Sequence, residues 1–201
     1  MSYEGWVWDL VELAAAQAAN DTSGMETMFQ RLQAADRASE VEEALLQSYL
    51  FLGFPSAIEA LWRWRGHVAE APAPAAEDWN SWLERGQEKC ATVYGDHYEP
   101  LRENIARLHP DLDRWMVAEG YGKVLGRPGL ALDIREMLIV AMLVVQGERG
   151  RRQLRSHLQG ALNAGVAPKD VTEAVRHAAR FAPSENYELA LKLWSLINGK
   201  K

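Results

Sequence analysis

Met137–Val145 reads MLIVAMLVV, nine apolar residues without a polar interruption and the longest such run in the chain. It is well short of the roughly 20 residues that a bilayer-spanning helix needs, so the segment has to be buried inside protein. A helix that is apolar on all sides must be covered on all sides, and here the cover has to be helical too. Alternating β-branched patterns are missing, while Ala, Leu, Glu, Arg and Gln dominate. The periodicity predicts helices over residues 4–20, 24–35, 39–51, 55–66, 78–93, 97–107, 110–124, 132–147, 151–164, 168–181 and 184–198. Ser39 ahead of Glu40 and Glu42 reads as an N-cap, Gly165 as a helix stop, and Pro55, Pro110 and Pro168 as helix starts. The expected fold class is all-α.

The helices are interrupted once by a different composition. Val68–Glu77, VAEAPAPAAE, is rich in Ala and Pro without an apolar period, and reads as an extended linker. It divides the chain into an N-terminal unit, 1–67, and a longer unit, 78–201. The two share a repeat. Leu32–Trp64 aligns without a gap on Leu162–Trp194, pairing Leu32 with Leu162, Val41 with Val171, Glu43 with Glu173, Phe51 with Phe181 and Trp64 with Trp194. Duplicated helical units bury their apolar faces against one another, so the N-terminal unit is expected to be a partial second copy. Thr27 stands where the second copy has His157.

The net charge is −6 with no basic block, which argues against nucleic acid as a partner. Cys90 is the one cysteine, so no intrachain disulfide can form, as suits a reducing cytosol. The start, MSYEGWVWDL, has acids and no basic region, unlike a signal peptide. A cytoplasmic protein with no membrane partner is expected. Among eight tryptophans, Trp62 and Trp64 are two residues apart and cannot share a helix face, so one of them should meet solvent or a partner.

Three sets of residues can carry chemistry. His157 lies in HLQGALNAGV, His157–Val166, on a helix that follows the apolar run. An imidazole there can give or take a proton near neutral pH, or it can be a structural histidine with a satisfied hydrogen bond. Glu136 opens the most apolar helix, where burial can turn a carboxylate into an acid or base. It can equally be a first-turn acid favoured by the helix dipole. Arg127, in the turn Gly126–Gly129, and Arg135, beside Glu136, can each hold a carboxylate through two donors. There is no CxxC, HExxH, GxGxxG or Walker loop, and the histidines are not spaced as metal ligands, so no cofactor and no metal are expected.

Five segments, GQEKCATVYGDHY (Gly86–Tyr98), YGKVLGRPGL (Tyr121–Leu130), REMLIVAML (Arg135–Leu143), HLQGALNAGV (His157–Val166) and DVTEAVRHAARF (Asp170–Phe181), resemble the carboxymuconolactone decarboxylase family, relatives of alkylhydroperoxidase D. The RPGL turn and the HxxxALNxGV helix end place the chain nearest the decarboxylase branch. The resemblance implies a helical bundle assembled into trimers or hexamers, and cofactor-free loss of CO2 from a small carboxylated lactone of aromatic catabolism. His157 matches the family histidine, Glu136 an acid of the wider superfamily, and Arg135 a decarboxylase-branch arginine. Tyr121, Arg127, Arg135 and Gln153 fall on the substrate-binding side of the motif. Gly150 and Gln153 stand where the peroxidase branch has cysteines, which excludes thiol chemistry there. Gln153 also replaces a glutamate of the decarboxylase branch, and an amide cannot transfer a proton as a carboxylate does. The alternative to an enzyme is an oligomeric helical binding or assembly protein that has kept the fold.

Overall fold

The computed structural model describes residues 3–74 and 76–199. Eleven α-helices are named here: α1 (Gly5–Ala18), α2 (Thr22–Ala34), α3 (Ala38–Gln47), α4 (Tyr49–Trp64), α5 (Trp79–Tyr94), α6 (Tyr98–Leu108), α7 (Pro110–Trp115), α8 (Leu132–Gln146), α9 (Arg151–Asn163), α10 (Pro168–Ala179) and α11 (Ser184–Asn198). No strand occurs among the described residues. The expected all-α class and helix order therefore hold. Among the described residues no single helix is long and apolar enough to cross a membrane.

The boundaries of the compact units differ from the expected ones. One unit joins the chain up to Ala71 with the chain from Gly129 onward, and the other is Pro72–Pro128. The expected 78–201 unit is thus split, because α8–α11 pack with the N-terminal helices. Val68–Glu77 does lack regular structure over its described residues, but it marks the crossing between bodies rather than the end of an autonomous one.

In the first unit α8 is the central helix. Ile134–Val144 are all buried, as an all-round apolar helix requires. Helix α1 packs on α8 and on α10, and its small Ala14, Ala15 and Ala16 are buried in that packing. Helix α8 stops at Gly147, whose φ of 59° lies in the left-handed region that glycine adopts without cost. Trp64 Nε1 donates to Glu42 at 2.8 Å, and Trp194 Nε1 donates to Thr172 at 3.0 Å. Both bonds span 22 residues, so the aligned segments close in the same way. Trp64 is fully buried while Trp62 is 69% exposed, as their spacing requires.

Two local expectations are corrected. The N-cap of α3 is Arg37, so Ser39 lies inside the helix. The helix expected over 39–51 breaks at Ser48, and α4 is broken again at Gly53 (φ 81°, ψ 162°), a conformation essentially confined to glycine. Pro55 follows that break, where its missing N–H costs least.

The second unit packs α5 against a π-helical stretch, Met116–Leu125, that continues α7. A Cβ on Gly122 would lie 1.8 Å from Trp82 O, so only glycine permits this backbone approach. Arg85 donates from both terminal nitrogens to Glu77, at 2.8 and 2.7 Å, and from Nε to Gly122 O at 2.8 Å.

Candidate active site

The central helix delivers Glu136 and the following helix delivers His157. Nδ1 of His157 donates to Glu136 Oε2 at 2.8 Å. Glu136 is fully buried and His157 is 4% exposed. Glycine and alanine at 160 and 161 are buried beside the imidazole's turn, consistent with close packing of α9 in the bundle. The second carboxylate oxygen, Glu136 Oε1, is buried and accepts no hydrogen bond among the described residues. A buried carboxylate oxygen in that state is costly. The bond to Glu136 orients the ring.

One wall of this dyad comes from the N-terminal half. The Phe51 ring meets His157 edge to face, with centroids 5.4 Å apart and planes at 82°. Nothing in the local sequence around residue 51 marks it as a site residue. Its one signal is the pairing with Phe181 in the repeat.

Arg135 is placed differently from the carboxylate clamp expected of it. The guanidinium is fully buried. Its Nε donates to Leu130 O at 3.1 Å, Nη1 to Gln47 at 3.1 Å and Nη2 to Glu43 at 2.7 Å. Gln47 Nε2 returns a bond to Arg135 O at 3.3 Å. These contacts tie α8 to α3, and Glu43 balances the charge, so Arg135 fixes the helix that carries Glu136.

Gln153 lies in the first turn of α9, exposed, one turn ahead of His157 and on the same helix face. Tyr121 and Arg127 belong to the second unit. There Tyr121 is buried against the Tyr94 ring at 6.0 Å, and Arg127 follows the π-helical stretch with its N–H on Val124 O at 3.2 Å. Among the described residues no group of three or more His, Cys, Asp or Glu side chains is arranged to hold a metal ion. Cys90 is buried.

A second carboxylate–imidazole pair joins α1 to α10. His177 Nδ1 lies 2.7 Å from buried Glu12 Oε1, which also accepts from Arg180. The His177 ring stacks on Trp8, with centroids 5.2 Å apart and planes at 7°. Here the imidazole is partly exposed while the carboxylate is buried, whereas both members of the first pair are buried.

A buried imidazole–carboxylate pair thus links the central helix to its successor within an all-α bundle. Residues 110–195 match the carboxymuconolactone decarboxylase family. The match includes Glu136 and His157. The chain is 29% identical to the 4-carboxymuconolactone decarboxylase of Acinetobacter baylyi over 105 residues, covering 51% of this chain and 77% of that protein. It is 28% identical to peroxisomal protein 2 of Schizosaccharomyces pombe over 67% of this chain and 65% of that protein. It is 37% identical to a nitrosuccinic acid decarboxylase of Metarhizium robertsii over 29% of this chain and 40% of that protein.

Proposed function

We propose that the unit formed by α1–α4 and α8–α11 decarboxylates or isomerises a small carboxylated lactone or related acid without a cofactor. The observation that carries this reading is the buried dyad of His157 and Glu136 at 2.8 Å. Loss of CO2 leaves an electron pair on carbon as a dienolate, and that carbon must receive a proton. His157 supplies it from Nε2, and Glu136 stabilises the imidazolium before the transfer. Gln153 donates an amide hydrogen bond to the substrate where the decarboxylase branch has an acid. Arg135 holds α8 in register. The family match and two decarboxylases among the relatives support the reaction class.

The test is carboxylate loss from 4-carboxymuconolactone and from nitrosuccinic acid by the full chain, beside His157→Ala and Glu136→Gln. Turnover that falls about 10²- to 10⁴-fold in both variants is expected of a positioned proton donor and its partner. Unchanged turnover in His157→Ala would remove His157 from the mechanism.

Self-association belongs to the same reading. Phe54, Ile58 and Trp62 form an exposed stripe along α4, each between 61% and 69% exposed. The aligned positions of α11 are Ser184, Glu188 and Lys192, all exposed, so the helix packing does not demand apolar residues there. A second copy of this chain is the occupant we propose. Trp62→Glu should lower the sedimentation coefficient; an unchanged value would remove the stripe from the interface. A binding protein without turnover is the second reading, favoured by Gln153 in place of an acid.

A further inference from the structure

We infer that Asn186 is a positioning residue for the His157–Glu136 dyad: from α11 it fixes the turn that joins the helix of Glu136 to the helix of His157. The inference rests on the dyad proposed above as the reacting pair. Helix α8 ends at Gln146 and α9 begins at Arg151, with one short 3-10 turn, Gly147–Gly150, between them. That turn and the packing of α8 on α9 set the register in which the two side chains meet at 2.8 Å.

The end of α8 is closed from outside the helix. The N–H of Gly147 turns back to Leu143 O and Val144 O. Val145 O is among the last carbonyls, which a helix cannot satisfy with its own N–H groups. Asn186 Nδ2 donates to it at 2.8 Å. The other end of the same amide fills the turn. A Cβ on Gly147 would lie 2.1 Å from Asn186 Oδ1, so the amide stands where any other residue at 147 would put its side chain. Asn186 is itself held in the first turn of α11, with its N–H on Pro183 O at 3.0 Å. Helix α11 packs on α8, on the turn and on α9, so one helix braces both carriers of the dyad.

The repeat builds the same joint the other way round. The alignment pairs Asn186 with Ser56 and, carried back to the preceding helix, Gly147 with Gln17. In the first copy the helix end supplies the long side chain, and Gln17 Nε2 donates to Ser56 O and Oγ, each at 3.3 Å. In the second copy the helix end is glycine and the long amide comes from α11. The joint is filled in both copies, with the large and small residues exchanged. Small displacements of a reacting group cost rate steeply, so the copy that carries His157 has most to lose from an unfilled joint.

Long-range 1H–15N correlation of the histidine side chains reads the dyad without any substrate. A ring nitrogen fixed as donor to a carboxylate and one averaged between tautomers differ in shift. His157→Ala assigns the His157 signals, and His177, whose pair with Glu12 joins α1 to α10, is the internal reference. Asn186→Ser, the residue of the first copy, is too short to reach Val145 O. Asn186→Asp keeps the shape and loses the donor. In both variants the His157 nitrogen shifts should move toward the averaged value while those of His177 stay. Unchanged His157 shifts in the folded variants overturn the inference, as does an equal movement of His177. Movement in Asn186→Ser alone overturns the bond to Val145 O as the means. If one variant does not fold, the other carries the same test. Where turnover is found, kcat should fall about tenfold in Asn186→Ser with KM within about twofold, as for a misplaced reacting group. Moved shifts with unchanged kcat overturn the proposed reaction at the dyad and leave the positioning standing.

Discussion

Removing one partner of a buried pair leaves the other stranded, and the two halves of the dyad are not equivalent in that respect. In His157→Ala, Glu136 keeps two carboxylate oxygens in an apolar bundle, neither with the imidazole to meet it. In Glu136→Gln, an amide oxygen still accepts from Nδ1 and no buried charge remains. We expect His157→Ala to lose about 3 kcal/mol and Glu136→Gln about 1 kcal/mol in urea unfolding. The reverse order would overturn this account of the pair. Both residues are legible in sequence, because each lies in a short motif. The role of Arg135 is not, because Gln47 and Glu43 are 88 and 92 residues away and nothing near Arg135 announces them. Phe51 escapes for the same reason. Its partner is a ring on another helix, and a phenylalanine on a helix face looks like core.

Local backbone geometry decides what α4 can present. Gly53→Ala forces a side chain into a conformation with φ of 81°, at a cost of about 1–3 kcal/mol. The variant should relieve that strain by straightening the helix, which moves Phe51. A lower melting temperature is the expected outcome, read in a thermal melt beside the wild type. In the second unit, the ion pair of Glu77 and Arg85 gives a pH dependence of defined sign. The Arg85 guanidinium, helped by Trp82 Nε1, holds the Glu77 carboxyl down to about 2 from 4.5. A depressed carboxyl stabilises fully above the unfolded value and loses that contribution as pH falls through the folded one. Stability should therefore decline between about pH 4.5 and 2, and Glu77→Gln should flatten that decline in a thermal-melt series. Helix existence was readable from periodicity across both units. The breaks at Ser48 and Gly53 and the π-helical stretch were not, because each depends on contacts outside its own turn.

At the scale of the molecule, chain order misleads. The Ala/Pro segment has the composition of a linker, and its lack of regular structure is as expected. Composition reports local stiffness, however, and not which helices share a core. Burying α8 takes α1, and burying α10 takes α1 as well. Residues 78–201 expressed alone should therefore be poorly folded, with low dispersion in the amide NMR spectrum. A well-dispersed spectrum would show that the N-terminal helices are dispensable for the core. The all-α class survives this error because it rests on local periodicity, whereas the domain division needed long-range pairing.

The contact between Phe51 and His157 also bears on descent. The histidine and the ring that covers it are encoded more than a hundred codons apart, on either side of a stretch that forms its own compact body. Recombination within that stretch would exchange one without the other. Lineages in which position 51 changes should therefore show compensating change near position 157, and the segments encoding α4 and α9 should be inherited as a single block.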